Sequence, residues 1–314
     1  MISWIVHPRD FKDIESRAPL LKVFPHWIAY YILMFAKPFK ASDFSENGIV
    51  KGDVIAISLL PIHFQRHPLL ALKRVRQALA LSKALGVKRV SVGGMITGVI
   101  GRNKLAEEFD IEVYDGTDLL AVLAGEKVRE IMEKSDNKLL RIGIIGATTK
   151  SGSKISRLIA GMLPSELHLF AKTEKNVNAL AEECKKISSV TVSPHIDLKD
   201  ISQCDITILT AFISEEDGKN LVDDMKKGSY FISAIEPVSP FVFELEKNRM
   251  DMYITRGITI SAPGMSYGKI DGVVASGQAF VCLTEALVVP EGNSAVVSRE
   301  KYLYFMTKNN FKAL

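Results

Sequence analysis

Cysteine is scarce: the 314-residue chain has three, Cys184, Cys204 and Cys282. An odd count leaves no complete disulfide framework, and none of the spacings suits a metal site. A reducing, cytoplasmic setting fits that usage. Charge of either sign is not in excess: 40 basic against 36 acidic residues gives +4. A surplus that small carries no electrostatic footprint for nucleic acid. Long apolar runs are missing too. The most membrane-like stretch, Trp27-Ile-Ala-Tyr-Tyr-Ile-Leu-Met-Phe-Ala36, falls far short of the ~20 residues a spanning helix needs. The opening MISWIVHPRD has only a short apolar patch before its charges, which is no secretory signal. No internal repeat or low-complexity segment is present.

What remains is 47% hydrophobic and 24% charged, the make-up of a folded chain of about two domains. Ser3–His7, Asp53–Leu60, Lys88–Val92 and Ile111–Tyr114 are β-branched or apolar runs and read as strands. His67–Leu85 carries a helical apolar stripe with Gly86 behind it as a C-cap, and Thr117–Glu133 reads as a helix with Thr117 as N-cap. The polar run Lys134-Ser-Asp-Asn-Lys138 reads as a linker. Beyond it, strands at Leu139–Ile145, Leu167–Ala171, Asp205–Thr210, Tyr230–Ala234 and Ile258–Ser261 alternate with helices at Gly152–Met162 and Glu174–Lys186. That alternation predicts a parallel sheet covered on both faces. A last strong helix is expected over Ser276–Val289, ended by Pro290 and Gly292. The expected class is therefore α/β, with two domains. Residues 1–137 form an N-terminal mixed α/β substrate domain, and 138–275 a Rossmann-like parallel-sheet nucleotide domain. A helical segment, 276–314, returns to the cleft.

The densest local signal is the run Gly146-Ala147-Thr148-Thr149-Lys150-Ser151-Gly152, where an apolar strand enters a glycine turn and then a helix. In that context backbone amides at a helix N-terminus hold a pyrophosphate. The usual fingerprint has three glycines. Here Gly146 and Gly152 are present, with Thr149 between them, and Thr148, Lys150, Ser151 and Ser153 supply further donors. The second strand ends in Ala171-Lys172-Thr173 rather than in the Asp or Glu that accepts from an NAD ribose. A cation and a hydroxyl suit the 2′-phosphate of NADP(H).

Cys282 lies in a helical apolar run; taken alone it is a buried cysteine, since nucleophilic use needs access and a lowered pKa. Cys184 and Cys204 read as structural. So do His63, His67, His168 and His195, while His7 ends the first strand where a functional group can face a cleft.

Together these segments resemble the long-chain acyl-[acyl-carrier-protein] reductases, the aldehyde-forming enzymes of cyanobacterial hydrocarbon synthesis, and their bacterial relatives. The resemblance runs through His7, Leu59-Leu60-Pro61, the basic-apolar helix Lys73–Leu85, Gly86, Val92-Gly93-Gly94 with Thr97, and Gly116-Thr117. It continues with Gly146-Ala147-Thr148, Gly152-Ser153, Ala171-Lys172 and Phe280-Val281-Cys282-Leu283-Thr284-Glu285-Ala286. In the family an Ala-Cys-x-x-Glu-Ala segment carries the acyl-accepting cysteine, so the resemblance implies Cys282 in that role. Thr149, Asp115, Leu119 and Ser233 depart from the family pattern.

The activity so implied is NADPH-dependent reduction of a fatty acyl thioester, on acyl carrier protein or coenzyme A, to an aldehyde through an acylated Cys282. Two alternatives stand beside it. One is an NADP-dependent dehydrogenase of the shikimate dehydrogenase-like type without covalent catalysis. A Lys–Asp pair in the N-terminal domain would favour it; Lys73 or Lys104 with Asp115 are the candidates. The other is a non-catalytic nucleotide or lipid sensor. The stretch Trp27–Ala36 reads first as a core helix; the alternative is a helix that makes peripheral membrane contact or shelters an acyl chain.

Overall fold

A computed structural model describes residues 1–16, 18–135, 139–162, 164–235, 239–268, 277–290 and 298–313. The chain divides into two compact units, Met1–Gly116 with Thr259–Leu314, and Thr117–Ile258. These bounds differ from the expected 137/138 and 275/276.

The first unit opens with strand β1 (Ile2–Val6), helices α1 (Phe11–Glu15) and α2 (His26–Phe35), and strands β2 (Phe39–Glu46) and β3 (Ile49–Ala56). Helices α3 (Pro61–Arg66) and α4 (Pro68–Ala84), strand β4 (Arg89–Val92), helices α5 (Gly94–Val99) and α6 (Arg102–Phe109) and strand β5 (Glu112–Tyr114) follow. Strands β3, β1, β4 and β5 are parallel neighbours in that order. Strand β2, absent from the sequence reading, pairs antiparallel with β3 across Asn47-Gly48. Both turn residues have positive φ, 50° and 77°, which is the two-residue turn whose twist matches a hairpin. One sheet face carries Ile5, Ile55, Val90 and Val92 and packs on Val75 and Leu79 of α4.

The second unit begins with helix α7 (Thr117–Lys134), strand β6 (Arg141–Ile145), helix α8 (Lys150–Ala160), strand β7 (Glu166–Phe170), helix α9 (Glu174–Ile187) and strand β8 (Thr191–His195). Strand β9 (Ile206–Leu209), helix α10 (Glu215–Asp224), strand β10 (Tyr230–Ser233), helix α11 (Pro240–Asn248) and strand β11 (Tyr253–Thr255) complete it. All pairings are parallel and the order is β8-β7-β6-β9-β10-β11. Renumbered within the unit, that is the doubly wound order 3-2-1-4-5-6 of dinucleotide folds, and it bears out the expected α/β class. The sequence reading missed β8 and β11. Pro194 breaks the strand signal in β8, which it can occupy because β8 is an edge strand. Helix α7 belongs here because it packs on α8. A Cβ at Gly125 would lie 2.1 Å from Leu158 Cδ2, so the two helices approach closely there, and a larger residue would make the Leu158 and Met162 side chains move. The expected linker at 134–138 is thus not the division; its residues 136–138 lie outside the described set.

The chain then re-enters the first unit through strands β12 (Ile260–Ser261), β13 (Met265–Ser266) and β14 (Gln278–Ala279). Helices α12 (Val281–Val288) and α13 (Arg299–Lys308) and strand β15 (Lys312–Ala313) follow. Strand β12 is therefore not part of the parallel sheet as expected; it pairs antiparallel with β14 and β15. The helix expected from Ser276 starts at Val281: Gln278–Ala279 are extended, and Ser276, like Gly292, lies outside the described residues. Helix α12 lies against β1, β4 and β5. It covers the face that carries Trp4, whose ring meets those of Tyr267 and Phe280 at 5.4 and 5.7 Å.

Helix α2 is held to the first unit chiefly by polar ties. It buries only Ala29 and Leu33. His63, fully buried, accepts the Leu60 amide at Nδ1 (2.9 Å), while its Nε2 lies 3.0 Å from the Tyr30 carbonyl. Arg74 donates to the Met34 carbonyl at 2.7 Å. The two bonds of His63 fix it as the neutral Nε2–H form. A proton on Nδ1 would face the Leu60 donor, and burial, with His67 as the nearby like charge, pushes the His63 pKa below 6.5. The unfolded chain therefore binds more protons than the folded one below pH 6.5, and stability falls as pH drops through that window. Burial lowers His7 and His168 in the same direction. We expect the urea midpoint to fall between pH 7.5 and 5.5, and His63→Gln to flatten part of the slope. An unchanged slope in that variant would remove His63 from the account.

Candidate functional site

The glycine turn sits where the doubly wound sheet reverses direction, between β6 and β9. Gly146 has φ +78°, and a Cβ there would meet Ala211 Cβ at 2.4 Å. Gly152 lies under the turn, where a Cβ would meet Gly146 O at 2.2 Å and Thr210 Oγ1 at 2.6 Å. Both positions need glycine, one for backbone conformation and one for helix-on-strand approach. Thr149 is the N-cap of α8: its hydroxyl accepts the Gly152 amide at 3.0 Å and lies 3.3 Å from Thr210 Oγ1. Thr210 in turn donates to Ile145 O and Gly146 O at 2.8 and 2.9 Å. The hydroxyl of Thr149, which stands between the two glycines of the fingerprint, is thus spent inside the turn.

The amides of Gly146 and Ala147 both go to Phe170 O, and that of Thr149 to Gly146 O. Among the described residues the amides of Thr148 and Ser151 have no protein acceptor. They stand at the positive end of α8, whose first turn carries no acid. Lys150, Thr148 and Ser151 therefore share one end of α8, as the sequence suggested. Lys172 and Thr173 follow β7 at the same end of the sheet, since Ile145 is the register partner of Phe170. Both are exposed, and neither side chain has a hydrogen-bond partner among the described residues. The nearest acid along the chain is Glu174, which opens α9. The donor set and the glycine cradle fit a dinucleotide pyrophosphate.

In the first unit, Cys282 stands in the first turn of α12. Gly116 has φ +78° and approaches so closely that a Cβ would lie 2.7 Å from the Cys282 amide nitrogen. Burial pushes the thiol up to about 11, against the opposing pull of Ser91, Trp4 and the Leu283 amide. Ser91 Oγ has no conventional hydrogen-bond partner. Cys184 and Cys204 are buried, with thiols pushed up to about 11 and about 12 by desolvation. Cys282 is the one on a half-buried residue.

Sequence reasoning gave Glu285 no role of its own. It is fully buried, accepting the Gly116 amide at Oε2 (2.8 Å) and the Tyr302 hydroxyl at Oε1 (3.0 Å). Its signal was a lone acid in the apolar run 279–289. Also unforeseen is Lys40 on β2, whose Nζ lies 2.6 Å from both Asp43 and Asp53. The two carboxylates raise the Lys40 pKa. Of the candidate partners read from the sequence, Asp115 faces Arg102 at 3.8 Å. His168 Nδ1 and His195 Nε2 lie 3.0 Å apart, flanked by Glu166 and Asp200, and hold β7, β8 and the turn after β8 together. Among the described residues no group of three potential ligands gathers for a metal.

No family model matches the chain, and none of the curated proteins does. Solved structures with partial likeness include L-tryptophan dehydrogenase from Nostoc punctiforme, 11% identical over 98% of this chain and 79% of that one, with a TM-score of 0.40. Malate dehydrogenase from Salinibacter ruber is 12% identical over 35% and 41%, at 0.29. Lactate dehydrogenase from Cryptosporidium parvum, solved with lactic acid and β-nicotinamide adenine dinucleotide, is 19% identical over 36% and 42%, at 0.31. The chain spans less than half the length of the lactate dehydrogenases it matches.

Proposed function

We propose that the protein is an NADP(H)-dependent oxidoreductase that transfers hydride directly, with no covalent enzyme intermediate. The observation that carries this is the glycine turn at the reversal point of a 3-2-1-4-5-6 sheet, with a cation and no acid directly ending the neighbouring strand. Gly146 and Gly152 let the backbone approach a pyrophosphate, and the amides of Thr148 and Ser151 donate to it. Lys172 and Thr173 take the 2′-phosphate. Bound there, the nicotinamide supplies or accepts a hydride. Lys40, whose pKa Asp43 and Asp53 raise, supplies a Lys–Asp pairing in the first unit, the feature that would favour a dehydrogenase without a nucleophile.

Lys172→Asp is expected to weaken NADPH binding at least tenfold, about 1.4 kcal/mol for one charge-assisted contact, and to shift preference toward NADH. Fluorescence titration with both cofactors reads this. An unchanged preference would place the 2′-phosphate elsewhere.

A second reading is supported by Cys282, a half-buried cysteine in a helix's first turn. In it the thiolate attacks an acyl thioester, the carrier thiol leaves protonated, and hydride reduction releases an aldehyde and restores the thiolate. The thiol at about 11 argues against it, because about one molecule in 10⁴ is then ionised at pH 7. We expect Cys282→Ala to retain NADPH-dependent turnover, and intact-mass analysis with long-chain acyl-coenzyme A to show no adduct. An adduct in the parent that the alanine variant lacks would establish the acyl-thioester reductase instead.

A further inference from the structure

A run of exposed apolar side chains in the first unit lies in an acid-free segment. Leu20, Val23 and Phe24 precede Trp27, Tyr31 and Phe35 on α2. On α2, Trp27, Tyr31 and Phe35 recur every four residues and so lie along one side of the helix; Leu20 and Val23 stand three residues apart in the 3-10 turn that precedes it. Leu20 is 81% exposed, Val23 75%, Trp27 67%, Tyr31 56% and Phe35 81%. The opposite side of α2 presents the buried Ala29 and Leu33, so the helix is seated on the protein and turns its larger apolar face outward. Scattered single apolar residues need no explanation, but a row of this length marks an interaction surface.

Charge says what kind. From Ser16 to Ser42 the sequence contains no Asp or Glu, while it contains Arg17, Lys22, Lys37 and Lys40. Lys40 is ion-paired to Asp43 and Asp53, which leaves the exposed Lys22 and Lys37 on either side of α2 among the described residues. The closest acids on the preceding helix are occupied: Asp13 pairs with Arg9 and Glu15 with His26. Trp and Tyr in the row favour the headgroup level of a bilayer, and lysines at its ends reach anionic lipid.

We infer that the segment from Leu20 to Lys37 docks the protein on the surface of an anionic lipid bilayer. At about 1.5 Å per residue α2 is roughly 15 Å long, so it lies in the interface and cannot cross; no helix of the described residues is long and apolar enough to span. The helix is not the buried core helix expected: it buries only Ala29 and Leu33, and Trp27, Tyr31 and Phe35 are exposed. This inference does not depend on the oxidoreductase reading.

Flotation of the full chain with phosphatidylcholine vesicles, with and without 30% phosphatidylglycerol, tests it. Binding is expected only to the anionic vesicles and to fall with salt. The double variant Trp27→Ser/Phe35→Ser should lose it at least tenfold, and Lys22→Glu/Lys37→Glu likewise. All four side chains are exposed, so circular dichroism and the thermal midpoint should be unchanged. Equal flotation of parent and variants, or none of the parent, overturns the inference. So does a dimer in analytical ultracentrifugation that the apolar variant dissolves, which would assign the face to a second copy of this chain.

Discussion

Replacing Gly152 with alanine is expected to destabilise the second unit by about 3 kcal/mol, at the upper end of overpacking costs. The added methyl would sit 2.2 Å from Gly146 O and 2.6 Å from Thr210 Oγ1. The first of these is main chain, so no rotamer change relieves it. The helix must back away from β6, and that withdrawal also breaks the Gly152 amide to Thr149 hydroxyl bond that caps α8. Nucleotide affinity should fall with it, because the Thr148 and Ser151 amides move with the helix. Urea denaturation and NADPH titration read the two effects separately. A loss below 1 kcal/mol would mean that α8 and β6 are not in the contact described.

Glu285→Ala is expected to cost about 2–5 kcal/mol. The change removes the acceptor of the Gly116 amide and the Oε1 partner of the Tyr302 hydroxyl at a buried site, at roughly 1–3 kcal/mol for each lost bond to a charged acceptor. Glu285→Gln keeps one acceptor oxygen and the side-chain volume, so its loss should be clearly smaller. Equal losses would show that packing, not hydrogen bonding, is what Glu285 supplies. Since Gly116 lies against the Cys282 backbone, the alanine variant should also speed alkylation of Cys282, whose thiol is otherwise held near 11.

Much of the architecture was legible because strand and helix periods were clean. The apolar strands β6, β7, β9 and β10 and the stripe of α4 announced themselves, and Gly146 and Gly152 marked the turn. Short or half-exposed elements did not. Strand β2 has polar and apolar residues in no strict alternation, although Asn47-Gly48 signalled its hairpin. Strand β11 is three residues long, below what a pattern can register. The site was legible as a set of donors but not as a geometry. Nothing in the sequence distinguishes a Thr149 hydroxyl aimed at a phosphate from one that caps its own helix, because that depends on Thr210, 61 residues away. The Lys40 arrangement was hidden for the same reason: Asp53 reaches it only through the register of an unrecognised hairpin.

The second unit is one unbroken stretch, Thr117–Ile258, whereas the first is assembled from two separated pieces. During synthesis on the ribosome, the second unit therefore has all its residues before the first does. Until residues 259–313 emerge, the nascent sheet of β1, β3, β4 and β5 has its Trp4 face bare. Glu285, which holds the turn at Gly116, is also still unmade. Premature termination soon after residue 258 would thus release a chain with a complete doubly wound sheet joined to an uncovered hydrophobic sheet, a substrate for chaperones and proteases.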